Sequence, residues 1–158
     1  MYAAARAVIL ALAISILPTN IPAPEDDVPE DVAAICEKYG TEYNIAPELL
    51  EAICWNESRF TASAENNTCK GIMQINISSH QARMEKLGVT DIWDIDSNIH
   101  VGADFLSELF ETYEDVGVVL GSYHGEKNAV SKAQKGQLSA YTKRILKRAA
   151  YYERLHGK

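Results

Sequence analysis

The chain has 158 residues and a formal net charge of −7, from 15 lysines and arginines against 22 aspartates and glutamates. This acidic balance disfavours nucleic acid as a partner, because binding to phosphates needs a cationic surface. The three cysteines and four histidines show no metal-ligand spacing, so we expect no metal and no cofactor.

The first 23 residues have the pattern of an export signal. Arg6 precedes an apolar run over 7–17, and small residues and prolines follow up to Ala23. The run is shorter than the roughly 20 apolar residues of a membrane-spanning helix. We predict a signal peptide or N-terminal anchor over 1–23 and an extracytoplasmic location for the rest, whether secreted, periplasmic or in the cell-wall space. The protein would contact a membrane only if this segment stays uncleaved.

An acidic linker with prolines, over 24–29, leads into one predicted domain over 30–158. About 130 residues suffice for one hydrophobic core and do not call for a second. Apolar residues recur at helical spacing, and no clear strand alternation is present. We therefore predict a mainly α domain with at most a small β element, around 71–76.

Prolines and polar capping residues divide this domain into six predicted helices. Pro29 suits a first helical position, and Pro47 opens the second helix. Ile53, Cys54 and Glu57 share one face of the second helix, so Glu57 is expected on or just beyond a buried face. The other predicted helices run from Ser78 or Ser79 to Leu87, from a cap at Ser97, over Val116–Tyr123 and over Leu138–Leu155. In the third of these segments, Val118-Val119-Leu120 is also compatible with a strand.

The cysteines are Cys36, Cys54 and Cys69. Export makes a disulfide possible, and an odd number leaves one thiol unpaired. A Cys54–Cys69 bond would join the helix of Glu57 to the segment that begins at Gly71, and we predict this pair. The alternative is three buried, reduced thiols that pack as small apolar groups.

Glu57 is the carboxylate best placed for chemistry on sugars. It ends an apolar helix and precedes Ser58, and Gly71 begins a Gly-Ile-Met-Gln segment 14 residues later. A buried carboxyl group can keep its proton near neutral pH and donate it to a leaving oxygen. Taken singly, these residues have ordinary explanations, such as a surface acid or, for Met73, a core side chain.

Five motifs follow one another in order: Glu57-Ser58-x-Phe60, Gly71-x-Met73-Gln74-Ile75, Asn98-Ile99-x-x-Gly102-Ala103-x-Phe105-Leu106, Tyr123-x-Gly125 and Tyr141-x-x-x-Ile145. In this order and spacing the chain resembles the lytic transglycosylase domain of the soluble lytic transglycosylase (SLT) type, in the lysozyme-like superfamily. The resemblance runs from about Val32 to Tyr152. It implies an α+β lysozyme-like fold, a single helical domain with a deep glycan cleft.

The resemblance also implies a role for each matching residue. Glu57 matches the single catalytic acid of the family. The residues implied in substrate binding are Ser58, Gly71, Met73, Gln74, Tyr123, His124 and Tyr141. His124 stands where the family carries Asn, and because imidazole titrates near neutral pH we expect an additional pH dependence of activity.

A second carboxylate is absent from these motifs. Retaining and inverting glycosidases normally use two. The acids next along the chain, none of them in such a motif, are Glu65, Glu85, Asp91, Asp94 and Asp96. The resemblance therefore implies that Glu57 acts alone on the bond between N-acetylmuramic acid and N-acetylglucosamine, first as acid and then as base, leaving 1,6-anhydromuramyl ends.

Two alternatives stay open. One is a lysozyme-type hydrolase. The other is a catalytically weak or inactive module that binds glycan strands within a secretion or conjugation complex. Glu57 favours an enzyme, whereas the altered motif at His124 leaves the inactive module possible. The expected partner is peptidoglycan, with a conjugation or secretion apparatus as a possible second.

Overall fold

The computed structural model describes residues 27–158. The predicted signal or anchor over 1–23 and half of the predicted linker lie outside the described residues. Seven helices and one small sheet make up the described part, which confirms the prediction of a mainly α, lysozyme-like domain. Within 27–158, no helix combines the length and the apolar character needed to cross a membrane.

The helices are α1 (Glu30–Glu42), α2 (Pro47–Ser58), α3 (Ile77–Leu87), α4 (Ile95–Thr112), α5 (Val116–Tyr123), α6 (Ala129–Ala133) and α7 (Ala140–Leu155). The strands β1 (Glu65–Asn66), β2 (Cys69–Lys70) and β3 (Ile75–Asn76) form one antiparallel sheet in chain order. Asn66 lies opposite Cys69, and Lys70 lies opposite Ile75. The sheet therefore starts earlier than predicted, at residue 65, and places β3 directly before α3.

Two predicted caps were wrong by a few residues. Asp94, rather than Ser97, caps α4, because its carboxylate accepts the Ser97 amide at 2.9 Å. Asn76, rather than Ser78 or Ser79, caps α3 in the same way. The bounds of α5 were predicted correctly, and the short helix α6 was not predicted.

Helix α2 is the central helix of the domain. Its first eight residues, 47–54, are all buried, and it packs against α1 and α7. Two of these buried residues are acids, Glu48 and Glu51, and burial of their charge costs free energy. The chain leaves the helix at Arg59, which adopts the left-handed conformation with φ 55°. Glu57 thus lies in the last turn, where the buried helix reaches the surface.

The predicted Cys54–Cys69 disulfide is not formed in this structure, in which Cys54 lies next to the thiol of Cys36. All three cysteines are free. Cys54 is fully buried on the side of α2 that packs on α1, where Cys36 is also fully buried. The hydrogen bond between these two thiols, together with burial, raises the pKa of Cys36. Cys69 lies half-buried in β2.

A turn that begins at Gly71 is held against α4 by Asn98, which is fully buried. Asn98 Oδ1 accepts the Met73 amide at 2.9 Å, and Asn98 Nδ2 donates to the carbonyls of Lys70 at 3.0 Å and Ile92 at 2.8 Å. Gly71 has φ +77°, and a Cβ there would overlap the Asn98 side-chain amide. Only glycine suits this position.

Candidate active site

A cleft of about 600 Å³ lies between the sheet, α3, α4 and the loop after α5. Four predicted site residues line it, namely Glu57, Gln74, Tyr123 and His124. They come from the end of α2, the turn before β3, the end of α5 and the residue after it. Three separate segments of the chain therefore meet around one space.

Glu57 is half-buried and is held by Tyr141, the second residue of α7. The Tyr141 hydroxyl donates to Glu57 Oε1 at 2.7 Å. Burial, followed by the charge of Glu57, raises the pKa of Tyr141 well above its usual range. The hydroxyl therefore stays protonated and acts as a donor. This contact fixes one carboxylate oxygen of Glu57 and leaves the second oxygen outside the hydrogen bond.

His124 covers Tyr141 on the side of the cleft. The two rings are stacked, with centroids 4.0 Å apart and an interplanar angle of 10°. His124 is exposed and lines the cleft, whereas Tyr141 is only 2 % exposed. The imidazole thus forms an outer layer over the residue that holds Glu57.

Tyr123 is anchored by the turn that contains Met73. Its hydroxyl donates to the Met73 carbonyl at 3.1 Å. Burial, then the nearby charge of Glu57, raises the pKa of Tyr123 well above its usual range. This close approach requires Gly102 in α4, since a Cβ there would lie 2.5 Å from Met73 Sδ and 3.5 Å from Tyr123 Oη. Gly102 therefore allows α4, the turn with Met73 and the end of α5 to pack together beneath the cleft.

Gln74 lines the cleft as an acceptor. It adopts φ 51°, and its Nε2 donates to the carbonyls of Ala64 and Gly71, both at 3.0 Å. An amide nitrogen carries two hydrogens, so both donors are engaged by the backbone. Only the Gln74 carbonyl oxygen is left to contact a ligand.

Ser58 ties the end of α2 to the turn at Gly71. Its hydroxyl donates to the Ile72 carbonyl at 2.7 Å and accepts the Thr61 amide at 3.1 Å. The residue next to Glu57 is therefore fixed from both sides.

Comparison with known proteins connects this geometry to a family. Residues 34–146 match the family described as the transglycosylase SLT domain. The chain belongs to this family. The match covers the helix of Glu57, the sheet, the cleft and the first turns of α7.

Three relatives show how far the similarity extends. The transglycosylase of Enterobacteria phage PRD1 is 30% identical over 107 residues, which are 67% of this chain and 38% of the phage protein. Membrane-bound lytic murein transglycosylase F of Desulfosudis oleivorans is 29% identical over 83 residues, 52% of this chain and 17% of that protein. Protein IpgF of Shigella flexneri is 33% identical over 107 residues, 63% of this chain and 70% of that protein. The chain thus matches well under half the length of the first two.

Four of the substrate-binding residues predicted for this SLT domain lie outside the cleft lining. They are Ser58, Gly71, Met73 and Tyr141. The Met73 side chain is fully buried and packs at Gly102, so it does not line this cleft. In this structure these four residues lie beneath the residues that line the cleft and hold them in place.

Apart from Phe105, the motifs did not include the residues at the far end of the SLT cleft, where α3 faces α4. The ring of His80 lies 4.5 Å from that of Phe105, and burial, then Arg83, lowers the pKa of His80. Arg83 pairs with Glu108 at 2.6 Å and also with Asp104. All but Asp104 line the cleft. His80 and Arg83 are three residues apart on α3, and Phe105 and Glu108 are three residues apart on α4, so each pair shares one helix face. This spacing indicates a site only when the two helices are known to face each other.

Glu108 is a second carboxylate in the cleft, which the motifs did not predict. Its side chain is 62% exposed and its charge is engaged by Arg83. Within 27–158, no group of three or more histidine, cysteine or acidic side chains is arranged to hold a metal ion.

Proposed function

We propose that this chain is a peptidoglycan lytic transglycosylase that cleaves the β-1,4 bond between N-acetylmuramic acid and N-acetylglucosamine. The observation that carries the proposal is Glu57, half-buried at the cleft and fixed through one oxygen by Tyr141. Membership of the transglycosylase SLT domain family supports the same class of activity. Glu57 is the proposed catalytic acid.

The proposed reaction consumes no water. Protonated Glu57 donates its proton to the glycosidic oxygen as the bond to the anomeric carbon breaks, and the muramyl N-acetyl group assists at that carbon. Glu57, now a carboxylate, then removes the proton of the sugar's own 6-hydroxyl. That oxygen bonds to the anomeric carbon and gives a 1,6-anhydromuramyl end. Glu57 is protonated again and ready for the next cycle.

The neighbouring residues position the carboxylate and the sugar. Tyr141 keeps the Glu57 carboxylate in one orientation for both proton transfers. Gln74, whose donors are engaged, can accept a hydrogen bond from a sugar hydroxyl or an N-acetyl N–H. His124 offers a ring and a polar edge at the mouth of the cleft.

A lysozyme-type hydrolase is the second candidate, and the observation that favours it is Glu108. A hydrolase would need a carboxylate to activate water or to bond to the sugar. Glu108 lines the same cleft, but Arg83 engages its charge at 2.6 Å. We therefore favour the reaction with one carboxylate.

Mass spectrometry of products from purified peptidoglycan tests these functions. We expect anhydro ends from wild type and from Glu108→Gln, and a loss of at least about 100-fold in Glu57→Gln, because general acid catalysis contributes that much. Reducing ends from wild type, lost in Glu108→Gln, would establish the hydrolase instead. Binding without any product from wild type would leave an inactive glycan-binding module.

The setting of this activity is also proposed. Peptidoglycan lies outside the cytoplasm, so the proposed substrate agrees with an extracytoplasmic location. The export segment over 1–23, the domain limits at 24–29 and 30–158, and a conjugation or secretion apparatus as partner stay predictions.

A further inference from the structure

The outer face of α7 carries five cations, four of them exposed and one, Arg148, half-buried, and it carries no carboxylate. These residues, which we call the α7 basic face, are Lys143, Arg144, Lys147, Arg148 and Arg154. At about 100° per residue they span about 140° of the helix circumference. The only acid of α7, Glu153, lies on the buried side and is 5 % exposed. Positive charge is therefore concentrated on one face of a protein whose net charge is −7.

The charge of this face is not neutralised locally. Within residues 27–158, none of its five cations has a carboxylate within ion-pair distance. Several cations elsewhere are paired, for example Lys38 with Asp96 and Lys132 with Glu126, both at 2.7 Å. The α7 basic face is therefore available to an external anion.

The α7 basic face begins beside Glu57. Tyr141, in the first turn of α7, holds the Glu57 carboxylate. One turn further, Arg144 Nε donates to Asn56 Oδ1 at 3.2 Å, on the residue that precedes Glu57. The row of cations thus starts near Glu57 and extends away from it for about 16 Å, at about 1.5 Å per residue.

Two guanidinium groups at this end are held in place by Trp55. The guanidinium carbons of Arg59 and Arg148 each lie 3.1 Å from the centroid of the indole ring. One ring face cannot hold two guanidinium groups at that distance, so they lie on opposite faces. Cation–π contacts of this kind order both side chains, which lowers the entropy lost when they bind an anion.

We propose that the α7 basic face, together with Arg59, binds the carboxylates of the peptide stems on a peptidoglycan strand whose glycan occupies the cleft. The inference rests on the proposed function. Stem peptides branch from the muramic acids and carry free carboxylates, which guanidinium groups bind in a two-pronged geometry. The α7 basic face begins beside Glu57, through the contacts of Tyr141 and Arg144, so it lies next to the place where a bound strand meets the proposed catalytic acid.

The test measures co-sedimentation of non-cleaving Glu57→Gln protein with intact peptidoglycan and with glycan strands stripped of their stems by an amidase, whose hydrolysis leaves one lactyl carboxylate on each muramic acid. Lys143→Gln/Lys147→Gln removes two exposed charges and leaves both arginines on Trp55 in place. Lys127→Gln/Lys135→Gln removes two exposed charges outside α7. We expect the α7 variant to bind intact peptidoglycan about three- to tenfold more weakly, since single exposed ion pairs contribute little. Its binding to stripped strands and that of the control should be unchanged.

Salt gives a second readout. The difference between the α7 variant and its parent should shrink as salt rises, because exposed charges are screened. The proposal is overturned if the α7 variant binds intact peptidoglycan as tightly as its parent, or if the control pair loses as much affinity as the α7 pair. It is also overturned if the α7 variant loses as much affinity for stripped strands as for intact peptidoglycan, or if the protein binds anionic phospholipid vesicles more tightly than peptidoglycan. Failure of the proposed function looks different: wild type would release no product while binding still depended on the stems. Circular dichroism confirms that each variant is folded.

Discussion

The hydroxyl of Tyr141 donates a hydrogen bond of 2.7 Å to Glu57 Oε1, across 84 positions of the chain. The bond joins the last turn of α2 to the first turn of α7, and the two helices pack directly on each other. Because Tyr141 is 2 % exposed, its position is set by the core and not by solvent. The orientation of the proposed catalytic acid therefore depends on how these two helices pack.

Tyr141→Phe keeps the ring and removes this donor. Hydrogen bonds to charged groups are worth about 1.5–3 kcal/mol, so we expect turnover to fall roughly 10- to 100-fold. Tyr43→Phe is the control, because Tyr43 contacts His100 at 3.0 Å outside the cleft lining. Release of muropeptides measures both variants. Equal turnover in Tyr141→Phe and wild type would contradict a positioning role for Tyr141.

His124→Ala removes the ring that stacks on Tyr141 at 4.0 Å, and His124→Phe retains a ring without a titratable group. Stacked pairs contribute about 0.5–1.5 kcal/mol. We expect turnover to fall about fivefold in His124→Ala and much less in His124→Phe. Release of muropeptides measures both variants. Equal losses in His124→Ala and His124→Phe would show that the stacked ring does not hold Tyr141 in place.

Gly71→Ala combines backbone strain at φ +77° with an overlap on the buried Asn98 amide. We expect a loss of about 3 kcal/mol or more in the free energy of unfolding. Gly88→Ala is the matched control, since it has φ +69° but no atom within 4 Å of the added Cβ. Gly88→Ala should lower the free energy of unfolding only by the backbone strain, about 1–2 kcal/mol. Urea unfolding measures both variants, and equal losses in the free energy of unfolding would show that the overlap with Asn98 adds nothing.

Glu51 gives the stability a pH dependence of known sign. Burial raises its pKa from an ordinary 4.5 to about 7, against the opposing charges of His156 and Lys158. The folded state therefore binds this proton more tightly than the unfolded chain does. The contribution of Glu51 to stability is most favourable at and below pH 4.5 and becomes less favourable as the pH rises to about 7.

Glu51→Gln cannot ionise, so it should lack this loss of stability. The free energy of unfolding of Glu51→Gln minus that of wild type should be larger at pH 8 than at pH 5, by on the order of 2 kcal/mol. Urea unfolding at both pH values measures the gain, and Glu111→Gln, an exposed position on α4, is the control. A gain that is the same at both pH values would argue against ionisation as its cause.

The cysteines should differ in reactivity. Cys36 and Cys54 are fully buried, whereas Cys69 is half-buried at the cleft. A maleimide should therefore label one thiol in the folded protein and three in denaturant, counted by mass spectrometry. Cys69→Ser should remove the labelling of the folded protein. Only one label in denaturant would reveal a disulfide in place of the free thiols.

Features that depend on residues close together in the chain could be predicted. The bounds of α5 and the start of α2 at Pro47 were correct, because caps, prolines and helical spacing act within a turn or two. The start of α4 was missed for a local reason, since Asp94 captured the Ser97 amide ahead of the predicted cap. The ordered motifs likewise led to the family that the comparison established.

The sequence by itself determined the helical class, the family and Glu57 at the end of an apolar helix. Only the tertiary structure decided which side chains face one another, because that depends on packing between helices far apart in the chain. It paired Cys54 with Cys36, buried Met73 and brought Glu108 into the cleft. A motif records which residues occur, whereas the face on which each side chain lies is set by what packs around its helix.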